Sequence, residues 1–308
     1  MHIDIAIPFR GDIDYLFESI QSVIWQTHAD WTLRILDNAS DELDVAERIE
    51  ALGDARIIYF RHERNIGICR NFEFARAQIE SPWGVILGAD DLLHPTYLES
   101  MIMLAEKYSN AAFIHPAVNV IDQDGRSVLP LVDLVKRLIM PRLRTPKEMT
   151  IQKIIPSLML GNWLYAPSIF WNMKYLRDRH FRNDLTLTFD LEMEIRILIA
   201  AKSMVQSPES LVSYRRHAVS LSSAGKKGMK RFLEEAAIYE ELADLLKASN
   251  YRRASIFAKL RLTHRAHVLL SLIGIRHTFE VGEAFLLIFA DGGMSNPDKR
   301  AEFLLENS

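Results

Sequence analysis

The sequence predicts an α/β fold: a doubly wound, mostly parallel sheet followed by an α-helical C-terminal region. Three observations predict it. Strand and helix patterns alternate up to Asp91, as β-α-β-α-β-α-β. The fourth strand, around Val85-Ile86-Leu87, is an unbroken apolar run, as expected where a strand is covered on both faces. From Met229 onward, the apolar residues follow helical spacing.

Each element has its own warrant. In His2 to Phe9, Ile3, Ile5 and Ile7 alternate with Asp4 and Ala6, and the strand stops at Pro8, which cannot donate to a ladder. Asp12 is a candidate N-cap for a helix carrying Ile13, Leu16, Ile20 and Val23. Trp31 to Leu36 is a second strand, closed by Asp37-Asn38-Ala39-Ser40. A helix at 42–52 leads to a third strand at 56–60. Asn65-Ile66-Gly67 opens a helix with Phe72, Ala75 and Ile79 on one face. After the fourth strand, Thr96-x-x-Glu99 is a capping-box pattern. A strand at 112–121 and a tight turn at 122–126 follow. The basic segment 136–147, interrupted by Pro141 and Pro146, reads as a loop or insert, most simply a solvated surface loop. Residues 151–164 read as an interrupted helix and 166–171 as a strand.

Composition narrows the function classes. A chain of 308 residues with 49% hydrophobic and 25% charged residues suits a globular protein with a sizeable core. A net charge of −3 carries no nucleic-acid signal. One cysteine, Cys69, excludes an intrachain disulfide and fits a reducing compartment. No signal-peptide pattern opens the sequence, and no apolar run approaches the ~20 residues of a spanning helix. Cytoplasmic is the default expectation. G-x-G-x-x-G, Walker and G-x-S-x-G patterns are all absent, which argues against Rossmann, P-loop and α/β-hydrolase chemistry.

The ends of parallel strands share one edge, so Pro8-Phe9-Arg10, Asp37-Asn38 and Asp90-Asp91 can converge there. Asp90 and Asp91 have no basic sequence neighbour. Two hard oxygen donors at that edge suit a Mg²⁺ or Mn²⁺ ion shared with phosphate groups. An ordinary acidic turn, with Asp91 capping a short helix, is the competing account. Turn chemistry is likewise the plain account of Asp37, Asn38, Asn65 and Gly67.

Five segments, in order, resemble a family 2 glycosyltransferase with the GT-A fold. They are Ile7-Pro8-Phe9-Arg10, the run from Ser22 to Thr27, Asp37-Asn38-Ala39-Ser40, Asn65-Ile66-Gly67 and Leu87-Gly88-Ala89-Asp90-Asp91. The resemblance implies a nucleotide-sugar-binding half at 1–120, an acceptor and catalytic half of the same domain at 121–225, and a helical region at 226–308. It implies that Pro8 and Arg10 border the nucleotide pocket, that Asp37 contacts the base with Asn38 beside it, and that Asn65, Gly67 and Arg70 line the base and diphosphate side. Asp91 is then the principal ligand of a divalent metal (Mn²⁺ or Mg²⁺), with Asp90 as its ribose or metal-side partner. Gly88 departs from the pattern, because many members carry an acid there.

The resemblance continues at Leu187 to Arg196. Leu191, Ile195, Leu198 and Ile199 follow helical spacing, so Asp190 falls at a helix N-terminus, where a carboxylate is a favoured cap and stays ionised. By resemblance Asp190 is the base that deprotonates the acceptor hydroxyl, with Glu192 and Asp184 as alternatives. Val212 to His217 resembles the segment that folds over the diphosphate, with Arg215 or Arg216 as a phosphate contact and His217 as a further metal ligand. An exposed basic loop is the plain reading of the same residues. Small residues at 220–228 suggest a lid or a boundary.

The implied function is inverting transfer of a sugar from a nucleotide-diphosphate sugar, a UDP-sugar first, to a glycan or lipid-linked acceptor in cell-surface polysaccharide or glycolipid synthesis. A sugar-nucleotide-forming nucleotidyltransferase and a non-catalytic sugar-nucleotide or glycan-binding module are the alternatives. The segment 245–290 is basic and amphipathic in its first part, with no acid between Leu245 and Phe279. It can lie peripherally on the inner face of the cell membrane. Helices packed on the catalytic domain with their basic side in water are the preferred reading.

Overall fold

The computed structural model of the chain describes residues 1–217, 229–266 and 268. Its strands are β1 Ile3–Phe9, β2 Trp31–Asp37, β3 Ile57–Arg61, β4 Trp83–Ile86, β5 Leu92–Leu93, β6 Phe113–Ile121, β7 Lys147–Thr150, β8 Phe170–Asn172 and β9 Ser203–Arg215. Its helices are α1 Ile13–Ile24, α2 Val45–Glu50, α3 Ile68–Ala77, α4 Tyr97–Lys107, α5 Leu131–Ile139, α6 Ile151–Leu160, α7 Met173–Leu176, α8 Phe189–Ala201, α9 Met229–Ala248 and α10 Arg252–Leu260. The strands form one sheet in the order β3-β2-β1-β4-β8-β6-β9-β5, with β7 paired on β9.

The long ladders are parallel, joining β1 to β2, β2 to β3 and β6 to β9; β4 also runs parallel to β1. The antiparallel ladders of β5, β7 and β8 are short. In β1, Ile3, Ile5, Ile7 and Phe9 are all buried, as are Val85 and Leu87 on either side of Ile86. Ile86 is buried too, and burial on both faces explains the unbroken apolar run at 85–87. Gly84 lets β4 lie close to its neighbours: a Cβ there would stand 2.9 Å from the Asp4 carbonyl oxygen and meet the Ile79 side chain.

The chain divides into two compact units. The first comprises residues 1–134, 141–151 and 164–217 and contains the whole sheet. The second comprises 135–140, 152–163 and 218–308. Within the second, α9 buries Phe232, Ala236, Tyr239 and Leu242, the face read from their spacing. His264 meets Glu235 at 3.2 Å there.

Several expectations change. Asp12 does cap α1, accepting from the Asp14 and Tyr15 N–H groups at 2.8 and 3.4 Å. Thr96 makes no side-chain cap bond, because Glu99 instead accepts from the Thr27 hydroxyl at 2.9 Å. The loop expected at 136–147 begins inside a helix, α5, and ends in β7. The strand expected at 166–171 starts as a 3-10 turn, Ala166–Ser168, before β8. The glycine-containing segment 220–228 and most of the apolar part of 245–290 lie outside the described residues. Among the described residues no helix is long and apolar enough to cross a membrane.

Candidate functional site at the carboxyl edge of the sheet

The register sets Phe9 beside Asp37 and Asp37 beside Arg61, so the first three strands finish together. At this edge Asp37 is wholly buried. One oxygen accepts from the Ser40 N–H at 2.7 Å. The other accepts from the Ser40 hydroxyl at 2.9 Å, the Tyr59 hydroxyl at 2.6 Å and Arg61 at 2.9 Å. Burial, together with the Asp37 bond, pushes the Tyr59 hydroxyl up to about 12. In this structure both oxygens of Asp37, the expected base contact, hold the turn and the end of β3.

Asn38 is also buried, donating to the Asn65 side chain at 2.9 Å and accepting from the Ile66 N–H at 2.8 Å. It ties the 65–67 loop to the end of β2 rather than lining a pocket. Pro8 is half-buried, whereas Arg10, Asn65, Gly67 and Arg70 are exposed. Arg10 donates to the carbonyls of Asn38 and Ala39. These exposed groups remain available to a ligand at the edge.

The acidic turn after β4 is braced from α1 and β9. Ser19 donates to the Asp91 carbonyl and, at 3.2 Å, to the Gly88 carbonyl. The Arg215 N–H donates to the Asp91 carboxylate at 2.8 Å. Arg215 is buried; its guanidinium donates to the Asp90 carbonyl at 3.0 Å and the Gln123 carbonyl at 3.1 Å. It also pairs with Glu18 and lies 4.5 Å over the Tyr15 ring. Arg216 is spent as well, on buried Asp133. Both arginines, the expected phosphate contacts, are engaged here in holding the fold.

Asp90 and His217 behave differently. The Asp90 side chain is 31% exposed and sits 2.8 Å from His217 Nε2. The His217 ring rests 5.2 Å from that of Tyr15. Asp91 is 1% exposed. Burial, with the charge of Asp90 next, raises its carboxyl well above the ordinary carboxylate range, and the Arg215 N–H pulls the other way. Its second oxygen is buried and has no hydrogen-bond partner. That oxygen abuts the Cα of Gly88, where any side chain would collide with it. Gly88 thus makes room for the inward-turned Asp91, and an acid in its place would not fit this arrangement.

Among the described residues no three His, Cys, Asp or Glu side chains converge as a metal site. Asp90 and His217 suit a divalent ion that completes its shell with phosphate oxygens and water.

The third acid, Asp190, lies in the first turn of α8 and is half-buried. Thr188, not Asp190, is the N-cap residue, and an Asp190 oxygen accepts from the Leu191 N–H at 2.7 Å. Phe189, one residue earlier, packs on Phe72 of α3 at 5.1 Å between ring centres. Cys69 donates to the Leu185 carbonyl at 2.6 Å, so the approach to α8 is tied to the helix that follows Gly67. Of the alternatives, Glu192 is buried and bonded to Arg196, while Asp184 is exposed and paired with Arg182 at 2.6 Å.

Sequence reading missed Tyr15, Glu18 and Ser19, and gave Ser22 no role of its own. Their spacing places them along one stripe of α1, facing the acidic turn and β5, where Ser22 accepts from the Leu93 N–H at 3.1 Å. That polar stripe, on a helix that otherwise buries Ile13, Leu16, Ile20 and Val23, was the available signal.

Known proteins carry the same organisation. An uncharacterized glycosyltransferase of Rickettsia bellii is 29% identical over 125 residues, 40% of this chain and 18% of that protein. The chain spans about a fifth of the length of the first Rickettsia relatives it matches. A Rickettsia typhi uncharacterized glycosyltransferase is 24% identical over 70% of this chain and 64% of its own. Among solved structures, S. aureus TarS 1-349 in complex with UDP-GlcNAc superposes with a TM-score of 0.60 at 14% identity, covering 94% of this chain and 70% of that chain. That likeness establishes the shared fold. The sequence model for glycosyl transferase family 2 matches residues 4–173, more than half of the chain, which therefore belongs to that family.

Proposed function

We propose that the chain is an inverting glycosyltransferase that moves a sugar from a nucleotide-diphosphate sugar to an acceptor hydroxyl. The observation that carries the reading is the partly exposed Asp90–His217 pair beside exposed Arg10, Asn65 and Gly67 at one sheet edge. Asp190, in the first turn of a helix braced against α3, supplies a separate carboxylate. Inversion requires such a division, with a base on the acceptor face and the leaving diphosphate on the other.

Arg10, Asn65, Gly67 and Arg70 bind the nucleotide. Asp190 takes the proton from the acceptor hydroxyl as that oxygen bonds to the sugar's anomeric carbon and the bond from that carbon to the diphosphate oxygen breaks. Asp90 and His217 would hold a divalent ion, Mn²⁺ or Mg²⁺, which supplies Lewis-acid stabilisation of the diphosphate charge when bound. A UDP-sugar is the first donor to test, because TarS was solved with UDP-GlcNAc and with UDP. Work on a cytoplasmic cell-surface polysaccharide or glycolipid precursor is the matching role; a Bacillus subtilis relative, 24% identical over 126 residues, is a putative teichuronic acid biosynthesis glycosyltransferase.

The test is a thermal-shift panel of UDP-, GDP-, dTDP- and CDP-sugars with and without Mn²⁺, followed by transfer assays of Asp190→Asn. The variant is expected to retain nucleotide affinity and to lose about 10²–10⁴-fold in kcat, the range for a general base. Normal transfer by Asp190→Asn refutes the base assignment. No nucleotide-dependent shift under any condition favours a non-catalytic module.

A further inference from the structure

Helix α5 is built inside out. Its one acid, Asp133, is fully buried. Arg216 grips both its oxygens, at 2.5 and 2.8 Å, and the Tyr165 hydroxyl donates to it at 2.7 Å. Leu131, Val132, Leu134, Val135 and Leu138 face water instead, Leu131 and Leu138 each at 64% exposure. A surface helix ordinarily presents the opposite faces. Rotation cannot relieve the mismatch. Turning α5 to bury its leucines would carry Asp133 outward and strip half-buried Arg216 and buried Tyr165 of their shared partner. The apolar side chains are thus held outward, and a contiguous exposed apolar patch marks an interaction surface.

Charge selects the occupant. Between Leu129 and Lys147 the only acid is buried Asp133, whereas Arg137, Arg142, Arg144 and Lys147 are exposed. This cationic stretch stands against a chain whose net charge is −3. A second copy of the chain would bring the same cations face to face. An anionic lipid surface accepts the leucines among its acyl chains and the arginines among its headgroups. We propose that α5 and the basic segment after it, residues 131–147, form an in-plane contact with anionic membrane lipid. The segment is distinct in sequence from 245–290, and the proposal does not rest on the reaction proposed above.

The full chain is sedimented with sucrose-loaded vesicles of equal parts phosphatidylcholine and phosphatidylglycerol, and with vesicles of phosphatidylcholine alone, at low and near-physiological salt. Wild type binds the anionic vesicles, less as salt rises, and binds the neutral ones about tenfold more weakly or worse. The double variant Leu134→Glu/Leu138→Glu, altered only at exposed positions and checked for an unchanged melting temperature, loses about tenfold or more of the anionic binding. Arg142→Ser/Arg144→Ser keeps a weaker binding with a shallower salt dependence. Equal binding by wild type and the leucine variant overturns the proposal, as does the absence of wild-type binding to anionic vesicles at low salt. A wild-type dimer in sedimentation equilibrium that the leucine variant dissociates, without vesicle binding, overturns it in favour of a second copy.

Discussion

Asp37 ends β2 and Asp90 follows β4 at the same edge of the sheet, yet the fold treats these two carboxylates in opposite ways. Asp37 is fully enclosed by donors from Ser40, Tyr59 and Arg61. Asp90 keeps nearly a third of its side chain exposed and meets one imidazole, His217. The comparison teaches that a strand-end acid in a recognisable motif is not by itself a ligand contact. The deciding quantity is how many donors the neighbouring strands deliver to it. A carboxylate saturated inside the protein is part of the structure, and one left partly unsatisfied at the edge can still respond to a ligand's charge.

Substitution at both positions should separate these roles. Asp90→Asn is expected to lower kcat by about 10²–10³-fold, equivalent to roughly 3–4 kcal/mol of transition-state stabilisation, with the melting temperature nearly unchanged. Asp37→Ala should do the reverse. Its loss of stability in denaturant titration is expected at about 2–3 kcal/mol, below the full penalty for a broken buried pair, because Arg61 retains water contact. If instead Asp37→Ala unfolds normally and loses nucleotide binding, the two acids have been assigned the wrong way round.

Gly88→Asp probes the acidic turn directly. The new side chain meets the inward oxygen of Asp91, and the strain should destabilise the protein by about 1–3 kcal/mol. Pairing it with Asp91→Ala should recover part of that loss, a coupling readable in a double-mutant cycle.

Asp4 extends the contrast to pH. Burial would raise its carboxyl, but the Arg34 bond and the Ser81 and Glu80 N–H groups outweigh burial and hold it below the ordinary aspartate range. A carboxylate depressed in the folded state stabilises that state above the unfolded value, and the contribution disappears as pH falls through the lower folded one. Acid unfolding followed by circular dichroism should therefore show a flatter limb below about pH 4 for Asp4→Asn than for wild type. The smallest effect is expected at Glu18→Gln. Glu18 is 51% exposed although its partner Arg215 is buried, so the variant should cost less than about 1 kcal/mol.

Local pattern made much of the first unit legible. The period-two apolar residues of β1, the unbroken apolar run of β4 and the Asp12 cap all follow from near neighbours in the chain, and each formed as expected. The capping box at Thr96 did not form, because Thr27, 72 residues away, bonds Glu99. Helix α5, whose last turn overlaps the expected loop at 136–147, escaped detection because two prolines follow it and its one acid faces inward.

The sequence alone determined that four strands alternate with helices and that their polar ends meet at one edge, because pleat, helical period and parallel connectivity are local or topological rules. It also determined that Asp190 starts a helix. Which acids remain available was decided only by tertiary structure. Asp91 is claimed by an N–H group 124 residues away, and Asp90 meets a histidine 127 residues away. Charge saturation depends on partners that folding brings together, and sequence spacing does not encode their distances. The same reason gives Arg215 its place as the buried brace of the acidic turn.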